Sequence, residues 1–347
     1  MLRATVALLV LLAALPLAAQ RRGGAATRAP GRGGLVPALG PGPPAMPTGR
    51  HMGEPLPPGP VRMPSERRQW TRLDTPHFAI FSSAGPRVTR AIAADLEKLT
   101  ALLTNASPHF RAPSMRTRVF LFGDARDAQP YLDAAYGLRV DAAGVTVRHR
   151  DGSTILIDCT AKGGTVLTPR HELVHDLLRN SAHPLPHWIE EGLAEYYSNS
   201  GQTILQHVSR LRGPMRIPLE EMFALRSDSP QSSSWDFYAQ SWAAVAVLLR
   251  RDAKAFYAFL QDVDEGTPQS EALRMRFGLT PASFANAIAR GASGTAPAGI
   301  MTAVVAPLPE AVPLDRAALL AELGQLLLRL PNRTADAERH FAAAGTR

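Results

Sequence analysis

AGVTVRHRDGSTILIDCTAKGGTVLTPRHELVHDLL, Ala143 to Leu178, is where the sequence changes period. Its first half reads as two strands joined across Asp151-Gly152, a dipeptide suited to a tight hairpin turn. After Asp158 the pattern is helical, and a helix is expected over about Pro169 to Arg179. Thr168 is placed to cap its free N–H groups, and proline at the first helical position loses no needed donor. This helix carries His171 and His175 one turn apart, with Glu172 beside the first. Imidazoles at that spacing project from one side and can reach one ion, whereas Glu172 sits about 100° round the helix, beside the ion rather than on it. A chain with 10 histidines spells such an arrangement by chance about one time in fifty, so it needs support from elsewhere.

Upstream, HFAIFS (His77 to Ser82) and TRVFLFG (Thr117 to Gly123) read as strands. They enclose an amphipathic helix from about Arg87 to Leu103, with Ile92, Leu96, Leu99 and Leu103 on one face, which makes a βαβ-like unit. A further helix is expected over Arg126 to Tyr136. Downstream, helices are expected over His187 to Ser198, Trp235 to Arg250, Ala253 to Gln261, Ser270 to Phe277 and Pro281 to Ala289, the last opened by a second Thr-Pro pair. Strands first and helices second make an α+β domain.

The support lies in WIEEGLAEYY, Trp188 to Tyr197. A catalytic zinc takes three protein ligands and keeps one position open. Glu191, near the start of a helix that follows the breaker run HPLPH, is the expected third ligand, and Gly192 would let that helix approach closely. Glu195, one turn later on the same face, can orient the N–H of a zinc-bound histidine. Glu190 is the rival ligand, but it points about 100° away and has no carboxylate one turn on. Glu172 can then take a proton from the attacking water. His187 opens the helix and reads as solvated, although it could approach the site; His77, His149 and His340 have no partner spacing and read as structural.

HELVH followed by WIEEGLAEYY resembles the gluzincin peptidases, the thermolysin-like group, and most of all the bacterial peptidase MA-like proteins. The resemblance covers about Trp70 to Ala289, the expected domain being 70–290, and YAQSWAAVAVLL (Tyr238 to Leu249) is similar to a helix that follows the metal site in that family. It implies a zincin-like fold, with a strand-rich N-terminal lobe bearing a mixed sheet, then a helical lobe carrying the HExxH helix and the third-ligand helix. It also implies Zn2+ on His171, His175 and Glu191, and Glu172 as general base. A tyrosine or histidine on a later helix steadies the oxyanion in related enzymes, for which Tyr238 is the candidate, with His207 behind it; the alternative for Tyr238 is packing beside Trp235 and Trp242. The His175–Glu191 interval is shorter than in thermolysin, so the connection must be tight. The Gly-x-Met-Glu-Asn segment of exopeptidases is missing, which argues for an endopeptidase.

The ends of the chain bear on location. MLRATVALLVLLAALPLAAQ reads as a secretory signal peptide over 1–19, the alternative being a retained anchor, and no later stretch is long and apolar enough to span a bilayer. Residues 20–69, rich in Gly, Pro and Arg, read as a disordered linker, so the protein is expected to be exported, periplasmic or extracellular. Much of the net charge of +8 sits near the N-terminus, and without a basic helix or stacking aromatics no nucleic-acid partner is expected. Cys159, the one cysteine, reads as structural. After a linker over 291–313, residues 314–347 form two amphipathic helices about Pro331-Asn332 that resemble a single tetratricopeptide repeat, expected to pack on the preceding domain. The expected partner is a peptide or protein substrate, with the strand ending near Asp158 serving as an edge for an extended chain. The rival class is a non-catalytic, zinc-stabilised module that binds a protein partner through the C-terminal hairpin.

Overall fold

The computed structural model describes residues 59–178, 185–198, 201–211, 215–291 and 307–345. The expected signal peptide, most of the linker over 20–69, and residues 292–306 of the linker over 291–313 lie outside them.

Six strands form one mixed sheet: β1 (Trp70–Asp74), β2 (Phe78–Ser82), β3 (Thr117–Phe122), β4 (Gly144–His149), β5 (Gly152–Asp158) and β6 (Val312–Leu314), in the order β4-β5-β3-β2-β1-β6. β3 runs parallel to both β2 and β5, and the other pairings are antiparallel. Helix α1 (Pro86–Ala106) makes the β2-to-β3 crossover and α2 (Ala125–Tyr136) follows β3. Successive strand residues point to opposite faces, and here both faces are covered, so the central strands are apolar without alternation. On one face Ile80, Val119, Leu121, Ile155 and Ile157 meet Ile92, Leu96, Leu99 and Leu103 of α1 in one large core. On the other, Phe81, Phe120, Phe122 and Leu156 form a second core.

The first core continues into a helical lobe: α3 (Leu167–Leu177), α4 (His187–Ser198), α5 (Gly201–Arg210), α6 (Leu219–Ala224), a short 3-10 turn (Pro230–Ser233), α7 (Trp235–Arg251), α8 (Ala253–Asp264), α9 (Gln269–Phe277) and α10 (Pro281–Gly291). The second core is closed by α2 and by the hairpin α11 (Arg316–Leu328) and α12 (Thr334–Gly345). A lone helical pair cannot bury its own apolar stripe; this one places Leu319, Leu323, Leu326 and Leu327 with the sheet's aromatic face. His340 Nδ1 donates to the Asp336 carbonyl at 2.7 Å, so its Nε2 accepts the Tyr131 hydroxyl at 2.8 Å; burial favours this neutral ring and lowers its pKa.

Several expectations shift. The strand ending at Asp158 is internal, flanked by β3 and β4, and the sheet's edge near the HELVH helix is β4. β1 escapes pattern reading because its buried residues, Trp70 and Leu73, are three apart. β6 is a three-residue edge strand within the expected linker, with Pro313 tolerated there. α5 and α6 are short, and in α5 the buried side mixes Ile204 with His207 while Leu205 is exposed, which blurs the apolar pattern. Packing begins before Trp70: Val61 is buried, and its N–H donates to Asp336 Oδ1 at 2.9 Å. Among the described residues no helix is long and apolar enough to cross a membrane.

If the hairpin is a structural layer, Leu323→Ala should cost about 2–5 kcal/mol in urea denaturation, the usual range for a buried leucine. Leu328→Ala, at a 47% exposed site, should fall within about 0.5 kcal/mol of the wild type.

Candidate metal centre

Helix α3 starts at Leu167, two residues before the expected Pro169. Gly163, at φ +84°, turns the chain so that its carbonyl accepts from the N–H groups of Val166, Leu167 and Thr168 at 2.9–3.1 Å. Thr168 therefore lies inside the first turn, and its buried hydroxyl makes no hydrogen bond, so it is not the cap its position suggested. Other contacts fix the helix: Arg170 forks onto Asp95 of α1 at 2.5 and 2.6 Å, and Thr117 Oγ1 donates to Asp176 at 2.6 Å. At its C-terminal end, where carbonyls lack partners within the helix, Arg148 of β4 donates to the His175 carbonyl at 2.9 Å.

α4 crosses α7 at Gly192. A Cβ there would lie 2.5 Å from the Ser241 carbonyl oxygen and 2.7 Å from Val245, so the small residue is required by the close approach. This crossing leaves Glu191 facing α3, with Oε2 3.3 Å from His171 Nε2 and Oε1 3.6 Å from His175 Nε2; the two Nε2 atoms are 3.1 Å apart. His171, His175 and Glu191 thus form a group that could hold a metal ion, each offering one ligand atom within 4.8 Å of the others. Glu190 turns away, 3.9 Å from Arg148.

The donor chemistry suits a cation. Two imidazole nitrogens face each other, and Glu191 Oε2 is buried without a well-formed hydrogen bond. Burial alone would raise the Glu191 pKa; His175 and His171 outweigh it and hold the carboxyl well below its usual range. On the far side of His171, Nδ1 lies 3.3 Å from Glu195 Oε1, and Glu195 Oε2 lies 2.9 Å from His207 Nε2. Burial again opposes ionisation of Glu195, but the nearby His171 ring and the hydrogen-bonded His207 prevail and bring its pKa down to about 2. For His171, burial disfavours the charged ring, yet Glu191 and Glu195 together raise its pKa well above the ordinary value. Nδ1 is turned to a carboxylate, so a metal taken up by the group would displace the proton from Nε2.

The group opens onto a cavity of about 430 Å³ whose walls include Glu172, Tyr238, Thr146, Arg148, Glu190 and His187. Thr146 Oγ1 is 2.8 Å from Glu172 Oε2 and 2.9 Å from the Glu172 carbonyl, so β4 fixes the carboxylate. Tyr238 lies over the metal group, its ring 6.4 Å from that of His171; burial first, then Glu191, raises its hydroxyl pKa well above the usual value, and it remains an O–H donor. Of the two tryptophans beside which it was expected to pack, Trp242 stacks on His207 and Trp235 lies under Arg210, while Tyr238 itself lines the cavity. His207 is 1% exposed behind Glu195, so it is no donor to the cavity. His187, expected to be solvated, instead forms part of the cavity wall. Thr146 and Arg148 went unnoticed, though their i, i+2 spacing on a strand puts them on one face. His77 and His149 pair with Glu97 and Asp151, away from the cavity.

No protein-family model matches the sequence, and no curated protein matches it significantly.

Gly192→Ala should destabilise the fold by about 1–3 kcal/mol and weaken metal binding as α7 pushes Glu191 aside, read by thermal melts and titration calorimetry. Glu195→Gln, which keeps the shape but not the charge, should lower metal affinity about 10–100-fold with the fold intact by circular dichroism.

Proposed function

We propose that the protein is an exported zinc-dependent peptidase of the gluzincin type, an endopeptidase acting in the periplasm or outside the cell. The observation that carries this reading is the convergence of His171, His175 and Glu191 on one point, with Glu172 on the same cavity wall. Two imidazoles and one carboxylate, with an open side toward a cavity, are a donor set suited to catalytic zinc. Zinc held there would polarise a substrate carbonyl and make a bound water more acidic.

The chain's own residues supply the rest. Glu172, steadied by Thr146, takes the proton of the attacking water and passes it to the departing amine, so that one water is consumed for each amide bond cleaved. Tyr238 directs its O–H at the oxygen on which negative charge develops. β4 is the sheet's edge at the cavity, so its open backbone groups can pair with an extended peptide, fixing direction without selecting sequence. The alternative, a non-catalytic zinc-containing module that binds a partner through the C-terminal hairpin, would have to use the hairpin's outer side, because its apolar side packs on the sheet.

Metal analysis of the purified protein should return one zinc per chain, lost in His171→Ala. Glu172→Gln should keep the zinc and lose about 10²–10⁴-fold in cleavage of a diverse peptide library. A wild type that binds zinc and cleaves nothing, with Glu172→Gln indistinguishable from it, would reject the peptidase.

A further inference from the structure

The cavity holds a histidine that the metal group does not use. His187 is the first residue of α4, one turn before Glu191, so both side chains leave the same face of the helix. Its side chain is 14% exposed and its ring lies flat against Phe237, with centroids 5.2 Å apart and planes 18° apart. Nδ1 is 3.9 Å from Glu191 Oε1, too far for a hydrogen bond, and among the described residues the ring makes no hydrogen bond. A largely buried imidazole held in one orientation, with unused nitrogens on a cavity wall, is an arrangement for meeting something that enters the cavity. In every protonation state it carries at least one N–H.

Phe237 and Tyr238 are adjacent on α7. Phe237 supports His187, and Tyr238 lies over His171. One turn of α7 thus sets two donors around the metal group, one phenolic and one imidazole. An oxygen bound beside Glu191 Oε1 comes within reach of the His187 ring, whereas Glu190 and Arg148 are turned toward each other.

The geometry points to His187 as a second catalytic donor, which hydrogen-bonds the oxygen of the substrate carbonyl as it becomes tetrahedral. The assignment rests on the peptidase reading. Because Phe237 fixes the ring beforehand, no reorganisation is needed when charge develops, the condition under which such donors are most effective.

The test uses the zinc-loaded full chain and a phosphinic peptide, whose tetrahedral, anionic phosphorus centre reproduces the charge distribution of the attacked carbonyl. His187→Phe keeps an aromatic ring for the Phe237 stack and removes the donor; His187→Gln restores an N–H. By calorimetry, His187→Phe should bind the phosphinic peptide about 10–100-fold more weakly than wild type, with zinc affinity and melting temperature unchanged, and His187→Gln should recover part of the loss. In turnover, kcat should fall more than KM rises. Unchanged phosphinate affinity in His187→Phe overturns the assignment, as does a fall in zinc affinity of the same size, which would make the ring a ligand or a support. If wild-type protein binds zinc but not the phosphinic peptide, and Glu172→Gln has no effect, it is the peptidase reading that fails.

Discussion

Burying charge is the constraint around which the helical lobe is arranged. His171, Glu191, Glu195 and His207 are each 8% exposed or less, and an ionised group so enclosed is tolerated only when paired and hydrogen-bonded. With His175 they form a chain of five in which each carboxylate lies between two imidazoles: Glu191 between His175 and His171, and Glu195 between His171 and His207. Removing any member leaves a neighbour buried and uncompensated. The chain runs through α3, α4 and α5, so those helices cannot slide past one another without breaking it. At its open end two imidazole nitrogens and a carboxylate meet at the cavity, a group that could hold a metal ion.

Close approach is the second requirement, and it comes from a residue with no charge. Gly192 sits between Glu191 and the α7 backbone, and its missing side chain lets α4 rest on Ser241 and Val245. α7 then presents Tyr238 to the cavity, Phe237 to the His187 ring and Trp242 to His207, so a single helix backs the His/Glu group and also forms part of the cavity wall. The sheet adds a third support. β4 grips both ends of the HELVH segment, through Thr146 on Glu172 and Arg148 on the His175 carbonyl.

What the sequence reveals follows from how local the signal is. His171, Glu172 and His175 share one helical turn, and Glu191 and Glu195 share another, so periodicity alone assigns their faces. The choice of Glu191 over Glu190 rests on that same geometry, and the two carboxylates do diverge, toward the histidines and toward Arg148. Strand order is not local. Which of the two hairpin strands forms the edge depends on β5 pairing with β3, a contact between residues about forty apart in sequence, and no pattern within either strand encodes it. His187 and His207 were misplaced for a similar reason. One needs the stack with Phe237 to become a wall of the cavity, and the other needs the Glu195 and Trp242 contacts to be drawn behind it.

The C-terminal hairpin belongs to the same logic, at a distance. β4 carries the contacts that hold Glu172, and Leu156 of β5, the strand paired with it, faces the aromatic core that α11 and α12 help close. Without the hairpin, the aromatic core around Phe81, Phe120 and Phe122 would keep only the cover given by α2, and part of that face of the sheet would lose its packing. Arg329 of the α11–α12 turn also reaches Asp151 in the β4–β5 turn, at 3.1 Å. An exposed pair of that kind contributes little energy, but it marks where the hairpin meets the strand pair whose β4 holds Glu172. A segment whose sequence suggests a protein-binding repeat is thus the outer layer of the sheet, and its connection to the site runs through β5 and β4 to Glu172.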